Sequence, residues 1–166
     1  GRGGMGKVLE AVAEPLGRSV AVKVLINPRK GRRRFIREAR ITGQLQHPSI
    51  VPVHELGVDE AGHAFYTMKL VHGVTLRQIL QDLSTHKPAA LRNYSLPSLL
   101  TVFQKTCDAV AFAHAQTAPI IHRDLKPDNI MVGNYGEVLV MDWGAAKIRR
   151  GEASSDFDAE DFDPTE

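Results

Sequence analysis

The chain predicts an α+β fold of two lobes. The first is an antiparallel sheet with one helix, and the second is mainly helical and incomplete. Three observations carry this. Residues 19–25 alternate Val20, Val22 and Val24 against Ala21 and Lys23, directly after a strand and a Pro15-Leu16-Gly17-Arg18 turn. An arginine-rich helical stretch then separates that hairpin from two further strands. The longest periodic segment, residues 96–116, repeats Leu96, Leu100, Phe103, Cys107, Val110 and His114 at helical spacing.

Taken in order, Lys7–Glu14 reads as the first strand and Ser19–Leu25 as its antiparallel partner. Gly31 to about Leu45 reads as a helix with Phe35, Ile36, Ala39 and Leu45 as apolar positions, stopped by His47-Pro48. Ile50–Leu56 and His63–Val71 are strands around the acidic turn Asp59-Glu60-Ala61-Gly62. Thr75–Leu83 is a short helix, and the polar, proline-containing Ser84–Tyr94 is a loop or insertion. After the long helix, Ile130–Val132 and Glu137–Met141 are short strands around Gly133-Asn134-Tyr135-Gly136. Little follows that could pack on the long helix, so its apolar stripe is expected to be exposed.

Composition narrows the function. Cys107 is the only cysteine, which excludes a disulfide framework and a cysteine-based zinc site and points to a reducing, cytoplasmic setting. No apolar run approaches the roughly 18 residues of a membrane span, and the first residues lack a signal-peptide core. The chain does not begin with Met and is expected to be a fragment. The net charge of +2 hides an asymmetry: residues 1–50 hold eleven Lys/Arg against three acids, and residues 151–166 hold seven acids and no base. The basic peak at Arg29–Arg40 has no aromatic platform interleaved with its charges, Phe35 belonging to the apolar positions, so a solvated helix face is expected there and not nucleic-acid binding. The acidic end reads as a loop or disordered tail. His47, His54, His63 and His72 lie on different elements and suggest no metal site.

Gly1, Gly3, Gly4 and Gly6 form a glycine-rich start, Gly-Arg-Gly-Gly-Met-Gly-Lys-Val. Such glycines let backbone N–H groups approach phosphate oxygens. A dinucleotide-binding loop needs a strand before it and a helix after it, and here a strand follows. A Walker A loop needs Ser or Thr after the lysine, where Val8 stands. The pattern G-x-G-x-x-G-x-V fits at every fixed position. Downstream lie Val20-Ala21-Val22-Lys23, then Ile121-His122-Arg123-Asp124-Leu125-Lys126-Pro127-Asp128-Asn129, and thirteen residues later Asp142-Trp143-Gly144.

Together these four ordered segments resemble the signature set of the eukaryotic-like protein kinases, of the bacterial serine/threonine group. The resemblance implies a bilobal kinase fold: a first lobe over 1–71, a link at 72–73, and a partial second lobe over 74–150. Within it, 120–129 would be the catalytic loop, and 151–166 activation segment or tail. It implies ATP and Mg²⁺ as cofactors and protein Ser/Thr hydroxyls as acceptors. Asp124 would be the catalytic base and Lys126 the cation on the transferring phosphoryl, while Asn129 and Asp142 would hold the metal. Lys23 would contact the ATP phosphates. Its partner would be Glu38, the only acid between Glu14 and Glu55. Gly1, Gly3, Gly4 and Gly6 would cover the phosphates, Val8 and Ala21 the adenine from above, and Met131 from below. Met68 would be the gatekeeper, beside the backbone of Lys69–Val71. Trp143 departs from the family's usual Phe, and its indole N–H requires a partner if buried. Asp128 is expected to satisfy loop backbone groups, and His122 to be structural. Transfer is expected of the full-length parent, with weak nucleotide binding and little transfer by the 166 residues alone. Two other readings stay open: a pseudokinase or interaction module, and a small-molecule kinase of the aminoglycoside type.

Overall fold

The structure, a computed structural model, describes residues 6–27 and 31–149. Gly1, Gly3, Gly4, Arg29 and the acidic end 151–166 lie outside the described residues. The described chain divides into two compact units, one of residues 6–45 and 52–70, the other of 46–51 and 71–149.

The first unit is a four-stranded antiparallel sheet with one helix. Its elements are β1 (Gly6–Ala13), β2 (Arg18–Leu25), α1 (Arg32–Gln44), β3 (Val53–Val58) and β4 (Ala64–Lys69). The strand order is β1-β2-β4-β3. Gly17, at φ 60°, closes the β1–β2 turn in the left-handed region that favours glycine. Gly6 pairs with Leu25, and a Cβ there would sit 2.8 Å from the Val24 carbonyl oxygen, so the start of β1 tolerates no side chain. Along α1, Phe35, Ile36, Glu38, Ala39, Ile41 and Thr42 are buried, one face of a 3.6-residue period, while Arg33, Arg34, Arg37 and Arg40 are exposed. The arginine tract is therefore a helix surface over its described part.

The second unit opens with β5 (Gly73–Thr75), α2 (Leu76–Ser84), α3 (Pro88–Asn93) and α4 (Leu96–His114). Then come β6 (Ile120–Ile121), β7 (Ile130–Gly133), β8 (Val138–Val140) and β9 (Lys147–Ile148). β5, β7 and β8 form one antiparallel sheet, and β6 pairs with β9. Thr75 caps α2 by accepting the Gln78 N–H, and Ser95 caps α4 by accepting the Ser98 N–H. Ile79, Val102, Ile130, Val132 and Val138 make a core cluster, with Leu76, Leu83, Tyr94 and Leu99 packed on it.

Three expectations need correction. Ser84–Tyr94 is not all loop: Pro88 sits in the first turn of α3, and Ala90 is buried on its inner side. The strand expected from Ile50 starts at Val53. The first lobe is not continuous over 1–71, because residues 46–51 belong to the second unit. There Ile50 bridges Val140 in parallel, the Val140 N–H donates to Ser49 O at 2.8 Å and the Val51 N–H to Val140 O at 3.5 Å. Pairing across ninety residues overrides local strand propensity. Val71 likewise falls in the second unit. The stripe on α4 is exposed as expected: Leu96, Leu100 and Phe103 are 69%, 57% and 67% exposed, and Val102, Thr106, Ala109 and Ala113 are the face that packs.

Candidate active site

In the first unit the site is built on strand register. β2 pairs with β1 through Lys23↔Val8, and with β4 through Lys23↔Tyr66 and Ala21↔Met68. Residues directly opposite in an antiparallel pair share a face. Val8, Ala21, Lys23, Tyr66 and Met68 therefore lie on one side of the sheet, opposite Val20, Val22 and Val24. Ala21 and Met68 are buried and Val8 is half-buried.

Glu38 projects from α1 to that row. Lys23 Nζ stands 2.5 Å from Glu38 Oε1, and the Tyr66 hydroxyl donates to the same oxygen at 2.7 Å. Glu38 is 2% exposed. A carboxylate buried this deeply is tolerable only when paired, and removing one partner of such a pair typically costs about 3–5 kcal/mol. The pairing expected by elimination is thus the pairing present. Lys69 ends β4, with its side chain exposed and its N–H donated to Pro52 O at 3.1 Å.

The second unit carries the loop 120–129. His122 is buried between two roles. Its Nδ1 accepts the Asp124 N–H at 3.3 Å, and its Nε2–H faces Met141 O at 3.0 Å. Burial pushes the imidazole below its ordinary 6.5, against the opposing pull of the Met141 hydrogen bond and of Asp142 and Asp124. A neutral ring is what this arrangement requires, one nitrogen accepting and the other donating. Trp143 packs on it with ring centroids 4.6 Å apart. The indole is 1% exposed, yet its N–H finds no hydrogen-bond partner among the described residues. Arg123 takes φ 65° and donates from Nε to Ala145 O at 2.7 Å. The Met141 N–H donates to Asn129 O at 2.8 Å. The loop is thereby tied at three points to the Met141–Ala145 segment, with β6–β9 pairing behind it.

Asp124 is the polar centre. Lys126 Nζ donates to both of its carboxylate oxygens, at 2.8 and 3.0 Å. Asn129 Nδ2 donates to Asp124 O at 2.8 Å and to Oδ2 at 3.3 Å. The Lys126 hydrogen bond, joined by the Lys126 charge and the Asn129 amide, holds the Asp124 carboxyl below its ordinary value, against the upward push of desolvation. Lys126 is raised in return, with Asp128 and Asp142 adding to the pull of Asp124. Asp142, at φ 56°, sits in the left-handed region, and its Oδ1 accepts the Gly144 N–H at 3.3 Å. Asx side chains tolerate that conformation best, and its persistence at this position fits a site residue.

Asn129 turns its amide nitrogen to Asp124, which leaves Oδ1 for a cation. Asp142 adds a carboxylate from the segment bonded to Asn129. Two hard oxygen donors suit Mg²⁺, which is commonly held by one or two side chains plus substrate phosphates. Among the described residues no cluster of three or more His, Cys, Asp or Glu could hold a metal by itself. Met131 is half-buried in β7, opposite Thr75 and Leu139.

Asp128 accepts a backbone hydrogen bond within the loop, as expected, and does more. Its carboxylate takes a forked ion pair from Arg77 of α2, with Nη2–Oδ2 at 2.9 Å and Nε–Oδ2 at 3.1 Å. Arg77 and Tyr66 are the two site neighbours that sequence reasoning missed. Their partners lie 51 and 28 residues away, and no local signal marks such pairs.

The comparisons agree with this geometry. A family model described as the protein kinase domain matches residues 1–163. The chain belongs to the protein kinase domain family. It is 42% identical over 156 residues, 89% of its length, to a serine/threonine-protein kinase PknD of Protochlamydia amoebophila. It is 40% identical over 160 residues to PknD of Chlamydia trachomatis serovar L2b, and 37% over 171 residues to PknD of Chlamydia muridarum, covering 92% and 98% of this chain. It spans only 16–18% of the length of these relatives.

Proposed function

We propose that the protein carrying this domain transfers the γ-phosphoryl group of Mg-ATP to serine or threonine hydroxyls of other proteins. One observation carries the reading: Asp124, Lys126 and Asn129 converge within hydrogen-bond distance on a loop tied to the Asp142 segment. The substrate oxygen attacks the γ-phosphorus, the bond to the β–γ bridging oxygen breaks, and ADP leaves. Asp124 accepts the hydroxyl proton. With its carboxyl held low it is a weak base, so orientation of the hydroxyl outweighs proton affinity. Lys126, already beside Asp124, meets the charge on the transferring group. Asn129 and Asp142 would hold Mg²⁺, which screens the phosphate charges.

Lys23, aimed by Glu38, contacts the phosphates, and Gly1, Gly3, Gly4 and Gly6 supply backbone donors to them. By the family resemblance, Val8, Ala21, Met68 and the Lys69 backbone would meet the adenine from the first unit, and Val71 and Met131 from the second. The similarity to serine/threonine-protein kinases supports protein substrates, and Lys126 in the loop favours Ser/Thr over Tyr. Among the described residues no helix is long and apolar enough to cross a membrane. The lone cysteine supports a reducing, cytoplasmic setting for this domain.

The test is incubation of the full-length protein with γ-labelled ATP, Mg²⁺ and a generic basic protein, followed by identification of the labelled amino acids. Label on serine and threonine is expected. Label on tyrosine alone, or on an added aminoglycoside and not on protein, would overturn the reading.

A further inference from the structure

Tyr66 stands directly across from Lys23 in the β2–β4 pair, and both side chains end on one oxygen of Glu38. Tyr66 is 4% exposed. Its ring packs on Phe35 of α1 with centroids 5.1 Å apart, and Lys23 Nζ lies 5.7 Å from the ring centre. Phe35 precedes Glu38 by three residues, so both share the face of α1 turned to the sheet. The second oxygen of Glu38 is buried with no hydrogen-bond partner among the described residues. Everything that fixes this carboxylate therefore acts through Oε1.

The two donors on Oε1 are unlike. The lysine ammonium sits on a flexible four-carbon stem, and its protons are wanted by phosphate oxygens. The phenol is a rigid group with two torsions, locked by Phe35 and bound to a different strand. When the ammonium shares its protons with a nucleotide, the phenol still satisfies the buried carboxylate, whose desolvation would otherwise be unopposed. We infer that Tyr66 is a positioning residue for phosphoryl transfer: its hydroxyl holds Glu38 on β4, so that Glu38 can hold Lys23 on the ATP phosphates. A phenylalanine would fill the same space and pack on Phe35, so the hydroxyl is the group with a function. The inference rests on the kinase reading above and deepens it.

The experiment compares Tyr66→Phe, Glu38→Gln, the double variant and Lys23→Met in the full-length protein. Tyr66→Phe is expected to stay folded by circular dichroism and to lose about 5–50-fold in kcat, the scale of a hydrogen bond to a charged group. The KM for ATP should move less than about threefold, because the loss is one of alignment. On the Glu38→Gln background the same change should cost less than about twofold, because the two residues act as one unit. Wild-type kcat in Tyr66→Phe, or an equal loss on both backgrounds, would overturn the inference. The wild-type protein supplies a second readout that no variant can spoil by misfolding. A slowly exchanging Tyr66 hydroxyl proton close to the Glu38 side chain is expected in its NMR spectrum, and absence of that proton contradicts the assignment. Lys23→Met separates the two levels. If it transfers phosphate like wild type, the kinase reading fails; if it is inactive while Tyr66→Phe is unaffected, only the role of Tyr66 fails.

Discussion

The Lys126 ammonium bridges both carboxylate oxygens of Asp124, at 2.8 and 3.0 Å. The proposed base and the cation proposed to meet the transferring group are thus already paired. Replacing Lys126 with Met should raise the Asp124 carboxyl toward its ordinary value of 3.8, because the largest downward influence on it is then gone. Carboxyl-detected NMR titration checks this. A folded value below the unfolded one means that the unfolded chain takes up the proton first. The stabilising contribution is therefore complete above the ordinary value and fades as pH falls toward the folded one. An Asp124 value at or above 3.8 in the wild type would contradict the pairing.

His122 should titrate below 6.5 because it is buried against Trp143. For a histidine lowered on folding, the unfolded state binds the proton more tightly. Its contribution to stability is thus complete above about 6.5 and declines as the pH falls below that value toward the folded one. Imidazole NMR shifts followed from neutral to acid pH provide the measurement. A midpoint at or above 6.5 would mean that the ring is charged and cannot accept the Asp124 N–H.

The exposed and packed faces of the second unit should respond differently to substitution. Leu100→Gln, on the open stripe of α4, should change unfolding free energy by no more than about 0.5 kcal/mol. It should also reduce self-association, since the stripe is an exposed apolar patch. Ile79→Ala, 1% exposed within the core cluster, should cost about 2–5 kcal/mol. Denaturant unfolding in the full-length protein compares the two, and equal costs would show that the stripe is covered there.

What could be read from the sequence follows the range of the interactions. Lys23–Glu38 was legible because the kinase resemblance implies an acid partner for the lysine, and Glu38 is the only acid between Glu14 and Glu55. The loop 120–129 was legible through its resemblance to the kinase catalytic loop, His122-Arg123-Asp124-Leu125-Lys126-Pro127-Asp128-Asn129; the contacts of Lys126 and Asn129 with Asp124 are local ones within five residues. The β1–β2 hairpin followed from the alternation of Ser19–Leu25 and the turn at Pro15-Leu16-Gly17-Arg18 before it. α3 was missed because six residues around Ala89-Ala90 carry no periodicity. The place of 46–51 was missed because Ile50–Val140 is a tertiary bridge, with nothing local to announce it. Tyr66 was hidden for a similar reason: in sequence it is one more residue of an apolar strand, and only the register puts it opposite Lys23.

The proposed chemistry requires Asp124 to act in the chemical step and not in binding. Steady-state transfer from γ-labelled ATP to a basic protein, measured alongside ATP affinity for wild type, Asp124→Asn and Asp142→Asn in the full-length protein, tests this most directly. Asp124→Asn should lower turnover by roughly 10²–10⁴-fold and leave ATP affinity nearly unchanged, whereas Asp142→Asn should also weaken Mg²⁺-dependent nucleotide binding. Wild-type turnover by Asp124→Asn would contradict the assignment of the base, and with it the chemistry proposed for this domain.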